Sequence, residues 1–210
     1  MIEQELTYQD LRIPSSEIYE AMGYKDSIPD QMVIDETNTL LKRITPLLRP
    51  RFAFFFMGGT LDIEKETLSV LQSIHPPTVN LIQDTIPTRS PEQNTFSTQS
   101  KSTVFSVGKT IARQLRGSEA FVFFAATAGT EFEVFQHTLQ QEGDMVKIYI
   151  ADSLGSIIAE KTADCMEVAL AEYIREKNWK HTNRYSPGYC GWHVSEQQKL
   201  FPLFPIAAPC

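Results

Sequence analysis

Arg184-Tyr185-Ser186-Pro187-Gly188-Tyr189-Cys190-Gly191-Trp192 is the stretch on which the reading of this chain turns. The Pro187-Gly188 pair predicts a tight turn, because proline fixes φ and glycine admits the positive φ that a type II turn needs. An arginine, a serine and two tyrosines crowd around that turn, and Trp192 lies just beyond it. A guanidinium is a planar fork of donors suited to a carboxylate. Backbone amides and carbonyls at a turn can hold a ribose or an amino-acid group, and aromatic rings can cover an apolar one. The same residues also fit an ordinary surface turn pinned by aromatic packing.

The chain has 210 residues, enough to bury a core of its own, and one domain is the natural expectation. Apolar content of 42% and charged content of 21% are those of a globular protein. A formal charge of −7 argues against a general nucleic-acid binder, since no basic field displaces phosphate counterions. The three cysteines, Cys165, Cys190 and Cys210, cannot all pair and fit a reducing compartment better than a disulfide scaffold. The N-terminus shows no signal-peptide pattern. The apolar run Phe52 to Met57 is far shorter than the about 20 residues a bilayer needs. A cytoplasmic protein with no membrane partner is expected.

Outward from the turn, Asp144 to Lys177 reads as one long helix, with Asp144 as its cap and Met145, Ile148, Leu154, Ile158, Met166, Leu170, Tyr173 and Ile174 as its apolar face. Ala120 to Ala126 is an unbroken apolar run of strand length. Thr127-Ala128-Gly129-Thr130 breaks it and leads into a helix with Phe132, Phe135 and Leu139 inward. Arg51 to Met57 is a further strand. Val107-Gly108-Lys109-Thr110 lacks the earlier glycine of a phosphate loop, because that position holds Thr103, and reads instead as a helix start. Leu6 to Ile13 reads as a short strand, Ser16 as the cap of a helix ending at Gly23, and Pro29-Asp30 as the start of a second helix closed by Pro46. Leu61 to Leu71 fits either strand and turn or a short helix. Residues 75–102 are rich in proline and polar residues and read as a loop or insertion, with Val79, Leu81, Ile82 and Ile86 suggesting a strand inside it.

Arg184-Tyr185-Ser186-Pro187-Gly188-Tyr189, followed by Trp192, Glu196-Gln197 and Leu200-Phe201, resembles the reactivation domain of cobalamin-dependent methionine synthase in its stand-alone form. Glu17-Ile18-Tyr19-Glu20-Ala21-Met22-Gly23-Tyr24, Gly108 to Ala112, Ala126-Thr127-Ala128-Gly129 and the Asp152-Ser153-Leu154-Gly155-Ser156 helix extend the resemblance, with Ala128 where many relatives have leucine. It implies an α+β fold over residues 1–210, a single domain with a central antiparallel sheet and flanking helices. Relatives continue into a further strand, and the expectation here is either that the sequence is cut short at Cys210 or that this strand is absent.

The resemblance implies S-adenosylmethionine as ligand, with Arg184 on the methionyl carboxylate and Tyr185, Ser186, Pro187, Gly188, Tyr189 and Trp192 lining the site. The family also places glutamates on the preceding helix and just ahead of the arginine. Here those positions fall on Val168 and near Asn178, so Glu167 and Glu172 are the candidate acids. The function implied is reactivation of the cobalamin of a methionine synthase or related corrinoid methyltransferase by reductive methylation, a step of methionine biosynthesis. No Asp-x-His-x-x-Gly motif is present, so the cobalamin (vitamin B12) is expected on a partner protein, with a flavodoxin-like reductant alongside. The module would be a methyltransferase component without catalytic residues of its own. The alternative is a corrinoid-protein docking subunit that has lost S-adenosylmethionine. Cys190, His193 and His181 do not make a zinc set, and Cys190 with His193 lacks a third group to orient the base. No metal is expected.

Overall fold

The computed structural model describes residues 1–71 and 102–204. The loop and strand expected within 75–101, and the end of the chain at Cys210, lie outside the described residues; Ser102 begins a strand. The architecture is α+β, with antiparallel strands and flanking helices. The chain divides into two compact units, the first containing 1–56 and 122–181 and the second 57–121 and 182–204.

The first unit is built on a three-stranded sheet in the order β1-β2-β6. Strand β1 (Ile2–Glu5) pairs antiparallel with β2 (Arg51–Met57), placing Ile2 opposite Phe54. β6 (Phe121–Thr127) borders β2 on its other side, and Phe55 stacks on Phe123 with centroids 5.9 Å apart. The first strand is therefore not Leu6 to Ile13. Thr7 donates both its backbone N–H and its hydroxyl to the Asp10 carboxylate, each at 2.7 Å, and these bonds fold Tyr8–Leu11 into a 3-10 turn.

Helices cover this sheet. α1 (Ser15–Ala21) starts one residue before the cap expected at Ser16, because Pro14 is extended (φ −74°, ψ 149°) and its carbonyl accepts the first helical bonds. Gly23, at φ +92°, follows the helix as expected. α2 (Gln31–Ile44) begins after Asp30, leaving Pro29 outside the first turn. α4 (Thr130–Glu142) buries Phe132 and Leu139. α5 (Met145–Arg175) is capped by Asp144, whose side chain accepts from the amides of Val146 and Lys147. One core joins Ile18, Leu40, Ile44, Phe132, Leu139 and Leu154; a second joins Phe52 and Phe54 to Met166, Leu170 and Ile174. The small residue in Asp152–Ser156 serves this packing. A Cβ on Gly155 would lie 2.5 Å from the Phe132 ring. Gly129, at φ +106°, is likewise closed in, by the Arg49 backbone.

The second unit holds an antiparallel sheet in the order β3-β4-β5. β3 (Gly59–Asp62) and β4 (Thr67–Leu71) form a hairpin, which resolves the alternatives for Leu61 to Leu71 in favour of strand, turn and strand. Asp62 fixes the turn by accepting the Lys65 N–H at 3.0 Å, and Glu66 closes it at φ +56°. β5 (Ser102–Ser106) pairs with β4, from Thr67 opposite Ser106 to Leu71 opposite Ser102. It runs into α3 (Gly108–Gln114), which buries Ile111 and Ala112. Among the described residues no helix is long and apolar enough to cross a membrane.

Candidate functional site

The Pro187-Gly188 turn forms as its chemistry dictates. The Tyr189 N–H donates to the Ser186 carbonyl at 3.1 Å, and Gly188 sits at φ +103°. Proline supplies the first central residue and glycine the second, whose positive φ the turn requires. A second turn follows at once. Cys190 (φ +54°) and Gly191 (φ +86°) both lie at positive φ, and the Trp192 N–H donates to the Tyr189 carbonyl at 2.9 Å. Paired positive φ values are the signature of a type I′ turn. The Gly188 N–H then donates to the Trp192 carbonyl at 2.6 Å, tying the two turns into one knot. The second turn carried a weak signal in sequence, since Cys190 is not a residue that favours this region.

Three contacts hold the knot within its unit. Trp192 is only 8% exposed and meets Phe105 of β5 edge-on, centroids 6.0 Å apart at 88°. Gly108 at the start of α3 lies against Gly191, and a Cβ on Gly108 would fall 2.9 Å from the Gly191 carbonyl oxygen. Downstream, His193 caps the 3-10 turn Val194–Glu196 through Ser195, and α6 (Gln197–Leu200) follows. Glu196, 8% exposed, accepts the Ser106 N–H at 3.2 Å and the Lys199 ammonium at 2.7 Å. Lys199 also donates to the Val104 carbonyl at 3.1 Å. This ion pair thus satisfies two backbone groups of β5, whose neighbour β4 lies on its other side. An edge strand left bare would present those groups as a template for pairing.

The candidate ligand residues divide into presented and anchoring ones. Tyr189 is 69% exposed, Ser186 and Gly188 are exposed, and Arg184, Tyr185 and Pro187 are half-buried. Trp192 is an anchor, packed beneath the turn with its indole nitrogen enclosed and without a hydrogen-bond partner among the described residues. The candidate acids lie on α5 in the first unit. Glu167 faces His181 at 3.7 Å, and Glu172 is exposed. The His193 Nδ1 accepts the Ser195 N–H and meets its hydroxyl at 2.8 Å, so this nitrogen serves the cap. Among the described residues no cluster of three or more His, Cys, Asp or Glu is arranged to hold a metal ion.

An exposed tyrosine, an arginine and a rigid glycine-containing turn occupy one short segment, and the double turn fixes their backbone before any ligand arrives.

No family profile matches the sequence, and no curated protein matches it. Among solved structures the chain is similar to the crystal structure of the MetH reactivation domain bound to AdoHcy. The two are 15% identical with a TM-score of 0.57, over 96% of this chain and 69% of that one. At this identity the likeness is one of fold, and the chain has the fold of that domain.

Proposed function

We propose that this chain binds S-adenosylmethionine at the Arg184–Tyr189 turn and supports reductive methylation of a cobalamin held by a separate methionine synthase or corrinoid methyltransferase. The observation that carries this reading is the turn itself: the Pro187-Gly188 segment is built as a rigid double turn in a chain whose fold is that of a domain crystallised with AdoHcy. S-adenosylmethionine would supply the methyl group. The chain's own work is to bind and orient it, with Arg184 on the carboxylate, the turn backbone and Ser186 along the ribose, and Tyr185 and Tyr189 over the ring. Such work is positioning, and it needs no acid–base residue. A flavodoxin-like reductant, a place in methionine biosynthesis and a cytoplasmic location belong to the same proposal.

A second reading draws on Glu167. That acid stands close to a position where the family carries a glutamate, yet it is engaged with His181. A docking subunit that has lost the ligand would show this. Calorimetric titration of S-adenosylmethionine into the full chain, with Arg184→Ala beside it, separates the two. Saturable binding weakened at least tenfold by the substitution is the expected result. Absent binding, or binding indifferent to Arg184, overturns the first reading in favour of the second.

A further inference from the structure

Helix α5 ends in a cap that pushes an aromatic ring outward. Asn178 adopts the left-handed conformation (φ +55°) and donates its N–H to the Arg175 carbonyl at 3.0 Å. The Trp179 N–H donates to the Ile174 carbonyl at 3.2 Å. These two bonds are those of a Schellman motif. Trp179 leaves the helix 47% exposed, steadied by the Phe56 edge 6.4 Å away and by the Lys177 ammonium 5.9 Å from its centroid. Beside it opens a hollow of about 480 Å³, bordered by Ile174, Arg175, Asn178, Trp179, Lys180 and His181. That volume falls within the about 300–1,000 Å³ of small-molecule sites.

The charge of this hollow runs against that of the chain. The whole protein carries −7, yet the hollow's border holds an arginine, a lysine and a histidine, with the Glu167 carboxylate behind His181 at 3.7 Å. Cations in the last helical turn complement the helix dipole, which accounts for Arg175. His181 faces the Glu167 carboxylate, but neither the dipole nor that contact accounts for Lys180, which lies past the cap, or for a tryptophan left nearly half exposed beside it. Base–aromatic stacking with flanking cations is the arrangement by which proteins hold nucleotides without reading their sequence.

We propose that this hollow binds a small aromatic ligand bearing an anionic group, of the mononucleotide type, with the ring on Trp179 and the anion between Arg175 and Lys180. None of residues 184–192 borders the hollow, although Glu167, a candidate acid for S-adenosylmethionine, faces His181 on its rim, and the Arg184→Ala arm of the test keeps the two readings distinguishable. Adenosine monophosphate is the probe, titrated by calorimetry into the full chain beside adenosine and inorganic phosphate. Saturable binding is expected, at least tenfold tighter than either fragment and weakening as salt rises from 0.05 to about 0.5 M. Arg175→Gln with Lys180→Gln, and separately Trp179→Leu, each weaken it at least tenfold, while Arg184→Ala leaves it unchanged. The proposal is overturned by no binding at millimolar probe, by adenosine or phosphate binding equally well, by indifference to salt, or by loss of binding in Arg184→Ala. The fragment and salt arms use the unaltered chain, so they decide even if a variant fails to fold.

Discussion

Gly108 and Gly191 meet backbone to backbone, with room at Gly108 for a hydrogen and not for a carbon: a Cβ there would stand 2.9 Å from the Gly191 carbonyl oxygen. Both residues lie at positive φ. Gly108→Ala therefore combines left-handed strain with a clash against unyielding backbone. We expect it to destabilise the chain by about 2–4 kcal/mol. Gly188→Ala meets nothing within 4 Å and carries strain alone, about 1–3 kcal/mol. Urea unfolding of both variants checks the order; equal effects would show that the contact is not tight.

The Glu196 carboxylate stands ninety residues from Ser106 in sequence and accepts its amide hydrogen. Glu196→Ala strands that amide and removes the partner of Lys199, at a cost of about 1–3 kcal/mol. Glu196→Gln keeps an acceptor for Ser106 and should cost less. Amide exchange reads this directly: the Ser106 N–H exchanges faster in the alanine variant, while amides facing β4 keep their protection.

Close packing of α4 on α5 rests on Gly155. In Gly155→Ala the new methyl meets the Phe132 ring, and we expect about 1–3 kcal/mol of destabilisation from overpacking. A smaller side chain at 132 should relieve it. The double variant Gly155→Ala, Phe132→Leu would then lose less than the sum of the two single changes, a coupling that a double-mutant cycle measures.

Asp144 caps α5, and the Lys147 amide, followed by the Lys147 ammonium, holds its carboxyl below the usual aspartate range. A carboxyl depressed in the folded state adds stability above its unfolded pKa, near 3.9, and that contribution is lost as pH falls through the lower folded value. Asp144→Asn keeps a capping oxygen but cannot titrate. Thermal unfolding should place it below the parent at pH 7, with the gap closing as pH falls from about 4 to about 2 and the parent loses its charged cap. A parallel decline would remove Asp144 from the acid response.

Local chemistry made much of this legible. The Pro187-Gly188 turn, the Asp144 cap, the strand through Phe121–Thr127 and the helix after Val107 all follow from residues acting on their own neighbours. What the sequence hid is long-range. Ile2–Glu5 has little strand character and becomes one by pairing with Arg51–Phe54. Trp192 looks like a ligand-facing aromatic until Phe105 is seen against it. Glu196 and Lys199, ordinary helix charges in the sequence, acquire their role only from the edge of β5.

The ion pair on β5 also sets an order of events during synthesis. Ser106 leaves the ribosome ninety residues ahead of Glu196, and at about 5–20 residues per second that is an interval of about 5–18 s. Throughout it the β3-β4-β5 sheet has its strands but not its clamp. Until α6 emerges Ser106 and Val104 lack these two partners, and a holding chaperone, or a neighbouring nascent chain, has most to grip in that interval.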